Sequence, residues 1–196
     1  MTRKSLRACG LALVLALASG VAARALEVEG IDFPAQIEVA PGAPPLVLSG
    51  AGVRSRFMLD VYAIGLYLPA RASSADAAIA APGRKRVVIH MLRDVEAQQF
   101  VEALETSLRG NHDEATMRKL QPSIAQLESA VGPGTVKEGT RIELDFLPGS
   151  GTRVSFDGKT RGAPIGDEAF FPALLRNWLG AKPVSEDLKR ELLGAS

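Results

Sequence analysis

Cysteine is almost missing from this 196-residue chain, which holds one, Cys9. A single thiol excludes an intrachain disulfide framework, a Cys-x-x-Cys redox pair and a cysteine-built metal site. Histidine is scarce too: His90 and His112 are the only two, with no second His at metal-ligand spacing from either. No metal centre and no cofactor are expected. Gly50-Ala51-Gly52 lacks the third glycine and the following helix of a dinucleotide loop. There is no Gly-x-Ser-x-Gly elbow, so Ser107 or Ser155 with a distant His is no sign of a hydrolase triad. An excess of one charge is missing as well, with 23 basic against 22 acidic residues. The chain shows no internal repeat, low-complexity tract or heptad run.

What is present begins with an export pattern. Met1–Arg7 is basic through Arg3, Lys4 and Arg7, Ala8–Ala23 is rich in Leu and Ala, and Ala23-Arg24-Ala25 has the small-x-small form of a cleavage site. This predicts a secretory signal peptide over residues 1–25 and a secreted or periplasmic protein. The apolar run is shorter than the roughly 18–20 residues of a membrane span and contains Ser19 and Gly20. No integral membrane segment is therefore expected after cleavage. Cys9 precedes the apolar run instead of following it, which argues against a lipoprotein site. Loss of Arg3, Lys4, Arg7 and Arg24 takes the formal net charge from +1 to −3. A mildly acidic protein has no electrostatic footprint for nucleic acid. Residues 26–196 are long enough to bury a core as one domain.

Short strands are expected at Leu26–Glu29, Gln36–Val39 and from Leu46 onward, with a turn block at Pro41–Pro45. Ser73–Ala80 reads as a short helix and Arg86–Leu92 as a strand. From Val95 to Arg109 the apolar residues Ala97, Phe100, Val101, Leu104 and Leu108 share one helical stripe, with Asp94 as N-cap and Gly110 as stop. Met117, Leu120, Ile124, Leu127 and Val131 predict a second helix that Pro122 should kink or split. Ile142, Leu144 and Phe146, then Val154 and Phe156, alternate with polar residues as in a hairpin with one face buried and one solvated. Asp167–Leu179 is a helix with a broad apolar stripe, and Ser185 caps a last one reaching Leu193. This order predicts an α+β domain: an antiparallel sheet with helices on one face.

Gly50–Leu68, GAGVRSRFMLDVYAIGLYL, is the most informative stretch. It is too long for one strand of the usual ~5–6 residues, so a bend or tight hairpin is expected near Arg54–Arg56. It reads as buried strand yet carries Arg54, Arg56, Asp60 and Tyr62. An arginine and a phenol beside apolar surface can hold a carboxylate or an enolate, which points to a small-molecule pocket.

GAGVR followed by a strand and YAIGLYL resembles the chalcone isomerase fold family. Gln98-Gln99-Phe100 resembles the start of that family's first active-site helix, Glu138–Phe156 its hairpin, and Leu174–Gly180 its late helix ending in Gly. The likeness runs from about Leu46 to Leu193. It implies an open-faced antiparallel sheet with helices over it, a ligand cleft between the layers, and a Gly-rich turn whose arginine, here Arg54, faces the ligand. The family includes enzymes that cyclise chalcones to flavanones and non-catalytic relatives that bind fatty acids.

The departures from the enzymes are specific. Where they carry Tyr, Lys and Asn on the first active-site helix, this chain has Phe100, Ala103 and Ser107. Where they carry a strand threonine, it has Tyr62, and the fatty-acid-binding relatives likewise pair the Gly-loop arginine with a tyrosine. The resemblance thus implies a protein without isomerase activity that binds a fatty acid or similar apolar carboxylate. The headgroup would sit on Arg54 and Tyr62 and the tail against Phe100, Leu104, Phe171 and Trp178. The planar guanidinium fork stays charged when partly desolvated, and a charge-assisted hydrogen bond contributes about 1.5–3 kcal/mol.

Two other readings stand beside this one. In an isomerase or lyase acting on a chalcone-like or other enone, Arg54 would stabilise an enolate and Tyr62 would replace the missing helix tyrosine. In a protein-interaction module the cleft would be filled by the chain's own side chains. Residue by residue, Arg54 can equally satisfy carbonyls at a turn. Arg56 is expected in solvent, Tyr67 is expected as an ordinary strand aromatic, and the Phe170–Trp178 stripe is more often core than ligand wall. The sequence leaves the oligomeric state open.

Overall fold

The computed structural model describes residues 25–194; the expected signal peptide lies outside them, apart from Ala25. In chain order the elements are β1 (Leu26–Val28), β2 (Ile31–Phe33), β3 (Gln36–Ile37), β4 (Leu46–Arg56), β5 (Leu59–Leu68), α1 (Ala75–Ala80), β6 (Lys85–Met91), β7 (Val95–Glu96), α2 (Ala97–Asn111), α3 (Glu114–Val131), β8 (Thr135–Val136), β9 (Arg141–Leu147), β10 (Gly151–Phe156), β11 (Lys159–Thr160), α4 (Phe170–Leu179) and α5 (Glu186–Leu192). Seven strands form one sheet in the order β11-β10-β9-β6-β5-β4-β3, every neighbouring pair antiparallel.

The Gly50–Leu68 stretch becomes the β4–β5 hairpin. Its turn is Phe57-Met58, just beyond the expected break, and both residues lie in the left-handed region with φ of 50° and 60°. That conformation costs a residue with a Cβ roughly 1–2 kcal/mol. The glycines expected in a turn lie instead inside β4. Side chains two apart share a face of a strand, and the register Gly50↔Leu66, Gly52↔Ile64, Arg54↔Tyr62 puts this set on the helix-covered side. A Cβ at Gly50 would overlap the backbone of Glu191 and Leu192, and one at Gly52 the Glu191 side chain. Bare backbone at these two positions is what lets α5 lie on β4. Arg54 is the next residue on that face.

Tyr62, Ile64, Leu66 and Leu68 face the helices together with Val87, Ile89, Ile142, Leu144 and Val154. From the other side they meet α4, whose Phe170, Phe171, Leu174, Leu175 and Trp178 are all at most 3% exposed, and the apolar stripes of α2 and α3. Burying such a side chain stabilises the fold by about 1.5–3 kcal/mol.

The opposite face is not bare. β1 and β2 form a hairpin that sets Phe33 over Gly65, where a Cβ would stand 2.5 Å from the Phe33 ring. Phe33 also meets His90 edge-on at 5.7 Å. Tyr67, buried here, has its phenol pushed up to about 12 by burial. Farther along, the expected solvated face of β9 is covered by its neighbours. Arg86 and Arg153 stand opposite Asp145 in the register, and Asp145 bonds both, while Glu143 bonds Arg86 and Arg141. Glu143 and Asp145 are 6% and 2% exposed.

Three further expectations are corrected. Pro122 does not split α3, which runs unbroken, because Pro122 and Arg118, whose carbonyl loses its partner, are on the solvent face. Asp94 does not cap α2. Its carboxylate accepts from the Glu138 amide at 2.9 Å and from Lys137 at 2.7 Å, which holds it below the usual carboxylate range. Gly110 does not stop α2, which runs on to Asn111; that side chain bonds both the Ser107 and Lys182 carbonyls.

Candidate functional site

Between the sheet and α2–α4 lies a cavity of about 1270 Å³, above the roughly 300–1,000 Å³ of most small-molecule pockets. Its floor is sheet (Ile89, Ile142, Leu144, Val154, Phe156), and its walls come from α2, from the end of α3, and from Leu174, Asn177 and Trp178 of α4. The β4–β5 hairpin forms one end.

Of the six residues expected at the site, the fold brings five to this cavity: Arg54, Tyr62, Phe100, Leu104 and Trp178. Phe171 is the exception. It is fully buried in the first turn of α4, against Phe146 at 5.5 Å and near the Lys85 ammonium at 5.9 Å. Phe171 and Trp178 share one face of α4, but two turns separate them along its axis, and only Leu174, Asn177 and Trp178 reach the cavity. Lys85 donates to the Ile79 and Ala81 carbonyls at the end of α1, and burial lowers its pKa. That region is core.

Tyr62 is the central polar group. It is 8% exposed, and its oxygen accepts a hydrogen bond from the Trp178 indole at 2.9 Å. With that lone pair engaged, the phenolic proton has no acceptor among the described hydrogen bonds. Burial raises the Tyr62 pKa, against the opposing pull of the indole bond and the Arg54 charge. The phenol is therefore neutral at physiological pH, a donor and not a base. Arg54 faces Tyr62 across the β4–β5 pair. One of its five donors goes to the Ser55 carbonyl, and it makes no ion pair among the described residues. A guanidinium and a phenol O–H at the end of an apolar chamber can together hold an anion.

Phe100, Ala103 and Ser107 all line the cavity from α2. An aromatic ring, a methyl and one hydroxyl stand there, with no cation, amide or phenol. Two polar atoms on this wall lack protein partners: Ser107 Oγ and Asn177 Oδ1. Asn177 was missed as a site residue. A signal existed, since it is the amide inside the otherwise apolar Phe170–Leu179 stripe. Arg56 is exposed at the rim.

The fold is thus α+β, a sheet roofed by helices over a cavity with an arginine–tyrosine end. The chain belongs to the chalcone isomerase-like family, whose model matches residues 25–194. Among solved structures it is similar to a fatty-acid binding protein of Arabidopsis thaliana, with a TM-score of 0.62 and 18% sequence identity over 84% of this chain and 92% of that one. At that identity the likeness establishes the fold. No curated protein sequence matches the chain.

Proposed function

We propose that this protein binds a fatty acid or a similar apolar carboxylate without transforming it, the carboxylate on Arg54 and Tyr62 and the tail along Phe100, Leu104 and Trp178. The observation that carries the reading is the orientation of Tyr62. Trp178 occupies its acceptor side, so the buried phenol keeps a donor beside the Arg54 guanidinium where the β4–β5 hairpin bounds the cavity. At about 25 cal/mol per Å² of apolar burial, the tail dominates affinity, and the polar pair sets headgroup choice and orientation. The similar Arabidopsis fold is that of a fatty-acid binding protein, which supports the same reading. The missing Tyr, Lys and Asn on α2, replaced by Phe100, Ala103 and Ser107, support binding over isomerisation. The N-terminal pattern supports an exported protein, which sequencing the N-terminus from a cell fraction would test.

Native mass spectrometry with denaturing lipid extraction tests the binding. Wild type should carry or take up fatty acid. Arg54→Ala should weaken binding by about 10- to 100-fold, as expected for loss of roughly 1.5–3 kcal/mol of charge-assisted bonding. An empty wild type that takes up no added fatty acid, together with accelerated chalcone cyclisation, would replace this reading with the isomerase one.

A further inference from the structure

The tip of the β4–β5 hairpin is unlike the rest of the surface. Phe57, Met58 and Leu59 are 83%, 99% and 52% exposed; the only other large apolar side chain exposed among the described residues is Leu26. A two-residue turn with both φ values positive favours Asn-Gly, the pair that adopts this backbone without strain. Here two bulky apolar residues occupy it. Neither turn chemistry nor burial within the chain explains them.

The charges around the tip indicate what does. Arg54 and Arg56 flank it and make no ion pair among the described residues, although Arg56 lies over the Phe57 ring at 5.1 Å. The one acid at this end of the hairpin, Asp60, accepts from the Ser55 hydroxyl at 2.6 Å. Arg93 also lines the cavity, as do Lys137 and the acids Asp94, Glu96 and Glu102, of which Asp94 is paired with Lys137. Three projecting side chains are far too small a surface for a stable protein interface. A projecting apolar wedge flanked by two arginines suits a bilayer interface, where the wedge enters the acyl region and the guanidiniums stay with phosphate. Phe57, Leu59, Arg54 and Arg56 also line the mouth of the cavity.

We infer that the Phe57-Met58-Leu59 tip docks the protein on bilayers that contain anionic phospholipid, with the cavity mouth against the membrane surface. A single apolar ligand then passes between bilayer and cavity without crossing open water. This inference stands on the hairpin and is separate from the identity of the ligand.

Flotation with vesicles of phosphatidylcholine, with and without phosphatidylglycerol, tests it. Wild type floats with the anionic vesicles, and added salt weakens the association. The double substitution Phe57→Asn with Met58→Gly supplies the residues this turn prefers, so the fold is retained while the bound fraction falls by about tenfold or more. Arg56→Gln lowers binding to the anionic vesicles alone. These proteins share one N-terminus, so their differences isolate the tip. A polarity-sensitive dye on Met58→Cys, in a Cys9→Ser background, shifts to the blue on anionic vesicles. An unchanged dye spectrum, an Asn-Gly variant that binds like wild type, or a tip-dependent dimer in sedimentation overturns the inference. Fatty-acid occupancy measured without vesicles separates the two proposals. A protein that binds fatty acid and ignores bilayers refutes docking alone, and one that floats but never carries fatty acid refutes only the ligand assignment.

Discussion

The indole N–H of Trp178 donates to the phenol oxygen of Tyr62 at 2.9 Å, joining α4 to β5 inside the cavity wall. Each partner leaves the other buried and unpaired when removed, at a cost of roughly 1–3 kcal/mol. Tyr62→Phe and Trp178→Phe should each destabilise the protein by about that much, and the double variant should cost less than their sum. Denaturant unfolding of all four proteins measures the coupling. Additivity within about 0.3 kcal/mol would mean that the bond contributes nothing.

The close approach of α5 to β4 makes a second, graded expectation. At Gly50 an added methyl meets the Glu191 and Leu192 backbone, which can yield only if α5 moves. At Gly52 it meets the Glu191 side chain, whose carboxylate can swing aside, so that only its Cβ, at 2.9 Å, has to shift. Gly50→Ala should therefore cost at least the roughly 1–3 kcal/mol of an overpacked core, and Gly52→Ala distinctly less. Equal melting temperatures for the two variants would contradict this packing.

His90 gives the fold a mild acid sensitivity. Burial, with help from the nearby Arg141 charge, lowers its pKa below the ordinary 6.5, against the weaker pull of Glu143 and Asp157. The unfolded imidazole thus takes up its proton first as pH falls. The stability His90 contributes is complete above about pH 6.5 and is lost as pH drops through the lower folded value. Urea midpoints of wild type and His90→Gln should diverge least at acid pH and most above neutrality. A constant difference across pH 5–8 would assign the slope to other groups.

Asn177 holds a buried carbonyl oxygen without a protein partner on the cavity wall. Replacing a lone buried acceptor by an apolar group of similar size is often neutral or stabilising. Asn177→Leu should leave the melting temperature of the unliganded protein unchanged or raise it by a few degrees, about 1 kcal/mol at this size. A drop of more than that would show the amide to be satisfied in the fold.

Much of this architecture was legible because it depends on near neighbours in the chain. The stripes of α2 and α4, the Ser185 cap, which accepts from the Leu188 amide at 3.2 Å, and the β4–β5 hairpin follow from spacing alone. Arg54 and Tyr62 stand opposite each other because both sit on that hairpin. What was not legible depends on distant partners. Alternation marks Glu143 and Asp145 as solvent-facing, and only the register with Arg86 and Arg153 reveals them as buried. A Gly-x-Gly reads as a turn until α5, some 140 residues on, is seen lying across it. Phe171 and Trp178 share a stripe, and only the position of the cavity separates them.

The Tyr62–Trp178 bond spans 116 residues of sequence, whereas Arg54 and Tyr62 meet across a single hairpin. The arginine–tyrosine end of the cavity is thus encoded locally, and the rest of its wall is assembled from remote segments. Substitutions on the inner faces of α2 and α4 can reshape the chamber while the hairpin goes on presenting the same guanidinium and phenol. The two ends of the cavity are free to diversify at different rates.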